Sequence, residues 1–139
     1  STGKLVSVKG TPMDFTQMKP LGRDIEADYE PLKFGNGYDH NWCLNHIPGE
    51  LALCIKAVDE KSGRAMEVYT DLPGVQMYTA NSLRPVCAAK DGVYYEKRHG
   101  YCFETQNYPD AVNKENFPSP VVKAGEEYKT TTIYKFLTQ

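Results

Sequence analysis

Six stretches of this 139-residue chain either alternate apolar and polar residues or run apolar, and most of them are rich in β-branched or aromatic side chains. A period of two is typical of strands that pack one face and expose the other. The stretches are residues 4–8, 51–58, 65–70, 75–80, 101–106 and 129–136. Turn-forming pairs such as Asn36-Gly37 and Pro73-Gly74 separate them, which predicts an all-β fold, an antiparallel β-sandwich.

The segments between these stretches also carry local signals. Lys61-Ser62-Gly63-Arg64 predicts a tight hairpin in which Gly63 takes a positive φ. Residues 24–29 could form one helical turn, whereas residues 107–120, with three prolines and three asparagines, predict a long loop. Long loops at strand ends are common places for functional residues.

Length and charge limit the classes of protein that fit. A chain of 139 residues fits one domain, 1–139. The net charge of -2, without a basic cluster, argues against nucleic acid as a partner. No apolar run is long enough to cross a bilayer and the N-terminus lacks the regions of a signal peptide, so we expect no membrane partner and a cytoplasmic protein.

The cysteines and histidines do not form a metal motif. Four cysteines show no CxxC spacing, so we expect buried thiols rather than zinc ligands. The three histidines match no two-ligand repeat and no HExxH run. The sequence therefore predicts no metal site. The cysteines are Cys43, Cys54, Cys87 and Cys102, and the histidines are His40, His46 and His99.

The stretch Gly100-Tyr101-Cys102-Phe103-Glu104-Thr105-Gln106 carries one candidate for chemistry. Strand alternation puts Cys102, Glu104 and Gln106 on one face and the aromatic residues on the other, which should be core. A carboxylate beside an amide, just before the long loop, could serve a site. The simpler interpretation is a solvated glutamate on an outer face, and pattern alone favours it.

The cluster Gly37-Tyr38-Asp39-His40-Asn41-Trp42 is the second candidate. An acid and an amide can bind pairs of hydroxyls while an aromatic face covers the C–H side of a sugar ring, so the composition suits a saccharide pocket. The alternative is a turn closed by side-chain hydrogen bonds, with Trp42 in the core. Pattern alone slightly favours that alternative.

Five blocks in matching order resemble the C-terminal part of the aldose 1-epimerase, or galactose mutarotase, family. Together they span nearly the whole chain and are far more specific than any one of them. They are residues 8–15 (VKGTPMDF), 38–42 (YDHNW), 74–81 (GVQMYTAN), 100–113 (GYCFETQNYPDAVN) and the closing 117–120 (FPSP) with 124–128 (AGEEY) and Thr131-Thr132.

The resemblance implies a large twisted β-sandwich that interconverts the α and β anomers of free hexoses such as galactose and glucose, without metal or organic cofactor. A glutamate removes the proton of the C1 hydroxyl and a histidine protonates the ring oxygen; the ring opens, the C1–C2 bond rotates and the ring recloses. The family's glutamate matches Glu104, its hydroxyl-binding aspartate Asp39 and its amide contact Gln76. Such residues can hold the required protonation states near neutral pH.

The chain also departs from the family pattern, which is about twice as long and carries its histidine acid in the N-terminal half. Neither His40 nor His99 matches that acid. The chain opens at Ser1-Thr2-Gly3 without methionine, so we expect a partial domain, inactive alone, whose partners are an aldohexose and the missing half. Two alternatives stay open: a non-catalytic carbohydrate-binding module and a structural domain without a ligand.

Overall fold

The computed structural model describes residues 2–138, which form six strands and little helix. The helical elements are α1 (Glu30–Gly35) and two short 3₁₀ turns, Lys90–Gly92 and Ala111–Asn113. None of them is long and apolar enough to cross a membrane within the described range. The strands are β1 (Asp39–Cys43), β2 (Ala52–Asp59), β3 (Arg64–Thr70), β4 (Gly74–Tyr78), β5 (Cys102–Gln106) and β6 (Thr132–Thr138).

The first sheet has the order β2-β3-β6 and is antiparallel throughout. The predicted hairpin joins β2 to β3: Asp59 pairs with Arg64, and Gly63 takes φ 69° and donates its N–H to Asp59 O at 2.8 Å. A bulge interrupts β2 between Leu53 and Ile55. The tight turn fixes the register, so the hairpin prediction is confirmed.

The second sheet has the order β1-β4-β5. Contacts divide the chain into two compact units: one contains Asn41–Val75 with the segment from Thr105 onward, the other Thr2–His40 with Gln76–Glu104. We call them the first and the second unit. Whether 1–139 forms one domain stays a prediction.

Five of the six predicted strands are present, with shifted ends. Residues 4–8 do not form a strand: they pair with no other strand of the described chain, and Leu5 and Val6 are 61% and 74% exposed. Alternation alone does not make a strand, because the backbone N–H and C=O groups of a strand need hydrogen-bond partners on a neighbouring strand. The last strand begins at Thr132, three residues later than predicted, and β1 was not predicted as a strand.

The predicted helical turn at residues 24–29 is only a hydrogen-bonded turn, with Ala27 N–H donating to Asp24 O at 3.0 Å. The helix forms directly after this segment, at α1. Pro31 lies in its first turn, and Asn36 ends it in the left-handed region at φ 52°. Proline suits a helix start because its missing N–H would have no partner there. The predicted loop 107–120 is irregular apart from its 3₁₀ turn.

Buried hydrophobic residues lie on β3 and β4 and also in segments outside the strands. Tyr38 and Val68 are fully buried, and Met77 and Val75 are nearly so. The prediction of buried thiols is wrong, because Cys43, Cys87 and Cys102 are exposed and Cys54 is half-buried. All four are free. The predicted aromatic core face of residues 101–106 is also wrong, because Tyr101 is 48% exposed and Phe103 is only half-buried.

Candidate functional site

The three predicted site residues lie on three neighbouring strands, all within the second unit. Asp39 begins β1, Gln76 lies in β4 and Glu104 lies in β5. Because β4 is the middle strand of this sheet, Gln76 stands between the strands that carry the two carboxylates. Residues far apart in sequence therefore meet on one sheet.

Asp39 and Gln76 are in direct contact. The Gln76 Nε2 group donates a hydrogen bond to Asp39 Oδ1 at 2.7 Å. Asp39 is exposed and Gln76 is half-buried, and a hydrogen bond to an ionised acceptor is stronger than one between neutral groups. The amide thus fixes one carboxylate oxygen, while the carboxylate remains accessible to a ligand.

Glu104 is exposed, and its carboxylate contacts the thiol of Cys102. Cys102 Sγ donates to Glu104 Oε1 at 3.1 Å. Partial desolvation, the hydrogen bond to Glu104 and the negative charges of Glu104 and Asp39 raise the pKa of the Cys102 thiol to about 11. Both carboxylates therefore lie close enough to this thiol to disfavour its ionised form.

Tyr38 anchors the start of β1. Its side chain is fully buried, its hydroxyl donates to Pro12 O at 3.0 Å, and its ring packs edge-to-face with Phe15 at 5.2 Å between centroids. Successive side chains of a strand point to opposite faces. Burial of Tyr38 therefore directs the neighbouring Asp39 side chain outward.

A buried polar cluster joins the segment before β1 to the end of β4. Asn81 Nδ2 donates to the carbonyl oxygens of Gly35 and Tyr38 at 2.9 and 2.8 Å, and the Thr79 backbone N–H donates to Tyr38 O at 3.1 Å. Gly37 has φ 131°, and a Cβ there would lie 2.3 Å from Asn81 Oδ1. Only glycine fits at this position, and the cluster fixes Asp39 relative to β4.

Two of the three histidines have both ring nitrogens in contact with backbone groups. The Asp39 backbone N–H donates to His40 Nδ1 at 3.0 Å, so Nδ1 carries no proton and Nε2 donates to Pro31 O at 3.0 Å. Burial lowers the pKa of His40, opposed by the Pro31 carbonyl and the charge of Asp39. Both ring nitrogens of His46 contact backbone carbonyls, and His99 is exposed.

Two features were not predicted from the sequence. In the first unit, Gln106 Nε2 donates to Asn41 Oδ1 at 3.0 Å, and spacing gave no signal for this amide pair. In the second unit, alternation predicted that Cys102 and Glu104 share one face, but it did not predict their hydrogen bond. Trp42 is half-buried rather than part of the core.

One pocket lies apart from the three predicted site residues. A pocket of about 670 Å³ in the second unit is bordered by residues 21–27, Thr79, Arg98, Gly100 and Tyr101, and by none of the three predicted site residues. Within residues 2–138, no group of three or more His, Cys, Asp or Glu side chains is arranged to hold a metal ion.

Comparison with known proteins identifies the family of this chain. Residues 1–135 match the family model described as aldose 1-epimerase. The chain belongs to the aldose 1-epimerase family. It is 43% identical over 135 residues to galactose mutarotase from Bos taurus and to that from Homo sapiens, covering 97% of this chain and 38% of each relative. Aldose 1-epimerase from Escherichia coli K12 is 31% identical over 140 residues, or 97% of this chain and 39% of the relative.

A solved structure of an aldose 1-epimerase family member agrees with the fold. The GalM/aldose epimerase homologue from C. elegans superposes with a TM-score of 0.80 at 26% identity, over 99% of this chain and 40% of that chain. The predicted fold class, part of the antiparallel β-sandwich of galactose mutarotases, is thereby confirmed. The chain spans about two-fifths of the length of these relatives.

Proposed function

We propose that this chain supplies the base and part of the sugar site of an aldose 1-epimerase acting on free hexoses such as galactose and glucose. The observation that carries the proposal is the neighbouring arrangement of Asp39, Gln76 and Glu104 on β1, β4 and β5 in a chain of this family. The relatives that match carry the names galactose mutarotase and aldose 1-epimerase.

Glu104 is the proton acceptor in this proposal. Its exposed carboxylate takes the C1 hydroxyl proton, and the O–H electron pair forms the C1 carbonyl as the C1–O5 bond breaks. The ring oxygen keeps that bonding pair and receives a proton from an acid. After rotation about C1–C2, O5 attacks the other face of the carbonyl, the acid recovers its proton, and Glu104 returns its own.

Asp39 and Gln76 bind sugar hydroxyls in this proposal. The carboxylate of Asp39 accepts hydrogen bonds only, so it suits a hydroxyl donor, whereas Gln76 can both donate and accept. Their mutual contact at 2.7 Å orients the pair before the sugar arrives. A site assembled in advance loses less entropy on binding.

The acid comes from outside this chain. The described contacts tie His40 and His46 to backbone groups and leave neither poised to protonate a ring oxygen. The family resemblance implies a histidine acid in a preceding segment, and the relatives extend well beyond the region matched here. That segment is the expected partner of this chain.

Replacement of Glu104 tests the assignment. In the full-length gene product, Glu104→Gln should lower the rate of galactose anomerisation, followed by polarimetry, by about 10²- to 10⁴-fold, the usual contribution of general acid–base catalysis. Glu60→Gln, in the exposed turn between β2 and β3, is the matched control and should keep its rate. An unchanged rate in Glu104→Gln would reject Glu104 as the base.

A second candidate function is a carbohydrate-binding module without catalysis. The observation that favours it is the contact between Asp39 and Gln76 combined with the engagement of His40 and His46 by the backbone. Calorimetric titration of the chain alone with galactose separates the candidates. Saturable binding without anomerisation supports the module. A gain in anomerisation on adding the part of bovine galactose mutarotase that this chain does not match supports the enzyme.

A further inference from the structure

Cys102 makes the hydrogen bond that restrains Glu104. Among residues 2–138, the thiol is the hydrogen-bond partner found for this carboxylate, with Sγ 3.1 Å from Oε1. A glutamate side chain has three rotatable torsions, and exposure leaves Glu104 few packing contacts to limit them. The thiol contact therefore selects among carboxylate orientations that the strand alone leaves open.

The thiol is suited to act as a donor throughout the neutral range. Burial and the nearby carboxylates raise its pKa to about 11, so it keeps its proton at physiological pH. The charged groups that raise this pKa are Glu104 on the same strand and Asp39 on β1. A thiolate here would be a third anion beside two carboxylates, which explains why the protonated form is favoured.

We infer that Cys102 is a positioning residue: its S–H group holds Oε1 of Glu104 so that the other carboxylate oxygen faces the C1 hydroxyl of the sugar. The inference rests on the proposed function, since it requires Glu104 to be the base. Two geometric observations support it, the 3.1 Å contact and the position of Cys102 and Glu104 on one face of β5. Catalysis depends steeply on such orientation.

Three substitutions in the full-length gene product test this role. Cys102→Ala and Cys102→Val remove the donor, with a smaller and a larger side chain, and should lower kcat for galactose by about tenfold because the base is less well oriented. KM should change by less than about twofold, as expected when an interaction acts mainly in the transition state. Cys102→Ser restores an O–H donor and should recover most of kcat.

Cys87→Ala is the matched control, because Cys87 is another exposed thiol and lies outside β5. It should leave kcat unchanged. Wild-type kcat in both Cys102→Ala and Cys102→Val overturns the inference, and so does failure of Cys102→Ser to recover kcat in a folded protein. If Glu104→Gln keeps full activity, the proposed function fails first; if only the Cys102 series shows no effect, this inference fails alone.

A spectroscopic measurement covers the case in which the alanine or valine variant does not fold. The infrared S–H stretching band of Cys102, isolated as the difference from Cys102→Ser, should move to higher frequency in Glu104→Gln because a neutral amide is the weaker acceptor. A band at the same frequency in both proteins means that the thiol does not donate to Glu104, and overturns the inference.

Discussion

Asp39 is held at both its side chain and its backbone. Its carboxylate accepts from Gln76 at 2.7 Å, and its N–H donates to His40 at 3.0 Å. The preceding Tyr38 is buried, so the backbone cannot rotate without moving a packed ring. The exposed carboxylate is thus preorganised, which is the property that a hydroxyl-binding residue needs.

Asp39→Asn should weaken sugar binding while leaving the fold intact. The asparagine oxygen can still accept from Gln76, but the charge that a sugar hydroxyl would meet is lost. Hydrogen bonds to charged groups contribute about 1.5–3 kcal/mol, so KM for galactose should rise about tenfold or more in the full-length gene product. Asp91→Asn, an exposed residue outside the sheet, is the control. An unchanged KM contradicts the binding role.

His40 should titrate below the ordinary histidine value of 6.5 because burial disfavours its charged form. The folded state then binds fewer protons than the unfolded state, so this residue's contribution to stability is present above about pH 6.5 and is lost as the pH falls below it. NMR titration of the ring protons, assigned with His40→Gln, measures the pKa. A value at or above 6.5 would contradict the assigned cause.

Cys102 should react slowly with iodoacetamide although it is exposed. A rise in the thiol pKa from 9.0 to about 11 lowers the fraction present as thiolate. The more basic thiolate is also the stronger nucleophile, so part of the lost rate is recovered. The net rate should be about tenfold lower than that of a cysteine peptide. The rate should keep rising up to about pH 11. Peptide mapping by mass spectrometry follows it. Labelling in Glu104→Gln should be faster, and equal rates would contradict the influence of the carboxylate.

At the level of elements, periodicity predicted strands well where a paired partner exists. Alternation marked β2 and β3, and the Ser62-Gly63 turn marked their connection. It gave a false strand at residues 4–8, whose pairing no local pattern can supply. It missed β1, because Asp-His-Asn-Trp-Cys lacks alternating apolar residues and becomes a strand through pairing with β4.

The site was only partly predictable for the same reason. Periodicity put Cys102 and Glu104 on one face, since that property depends on two residues of one strand. The contact between Asp39 and Gln76 joins residues 37 positions apart, and no spacing rule predicts it. Only the family resemblance assigned roles to these residues. A family motif identifies residues that share a site in related proteins, and this information is not contained in the spacing of apolar and polar residues.

The Gly37–Asn81 contact should be necessary for the arrangement of β1 and β4. Gly37→Ala introduces a Cβ 2.3 Å from Asn81 Oδ1 at φ 131°, and should cost about 2–4 kcal/mol in the free energy of unfolding. Gly92 has a positive φ of 72° and open space around it, so Gly92→Ala measures backbone strain alone. Gly22 has open space and no positive φ, so Gly22→Ala introduces neither strain nor a clash. Urea unfolding should rank them in that order. Equal stability of the Gly37 and Gly92 variants would exclude the clash.

At the level of the molecule, much apolar surface remains exposed. Strand β6 is an edge of the β2-β3-β6 sheet, and its Phe136 is 76% exposed. Tyr134, on the same face of β6, is also exposed. Exposed apolar side chains on an unpaired edge strand favour association with another chain. Since the chain matches only 38% of its mammalian relatives, these features fit a chain that packs against a further segment.

The last prediction follows from this surface: the chain expressed alone should self-associate. Sedimentation velocity over a range of concentrations should show a rising average mass, because an apolar edge strand can pair with a second copy. Phe136→Lys places a charge on that edge and should reduce association, since charged edge residues oppose pairing. Lys129→Ala, outside the sheet, is the control. A monodisperse, cooperatively melting wild-type monomer would instead support a self-sufficient structural domain and count against the need for a further segment.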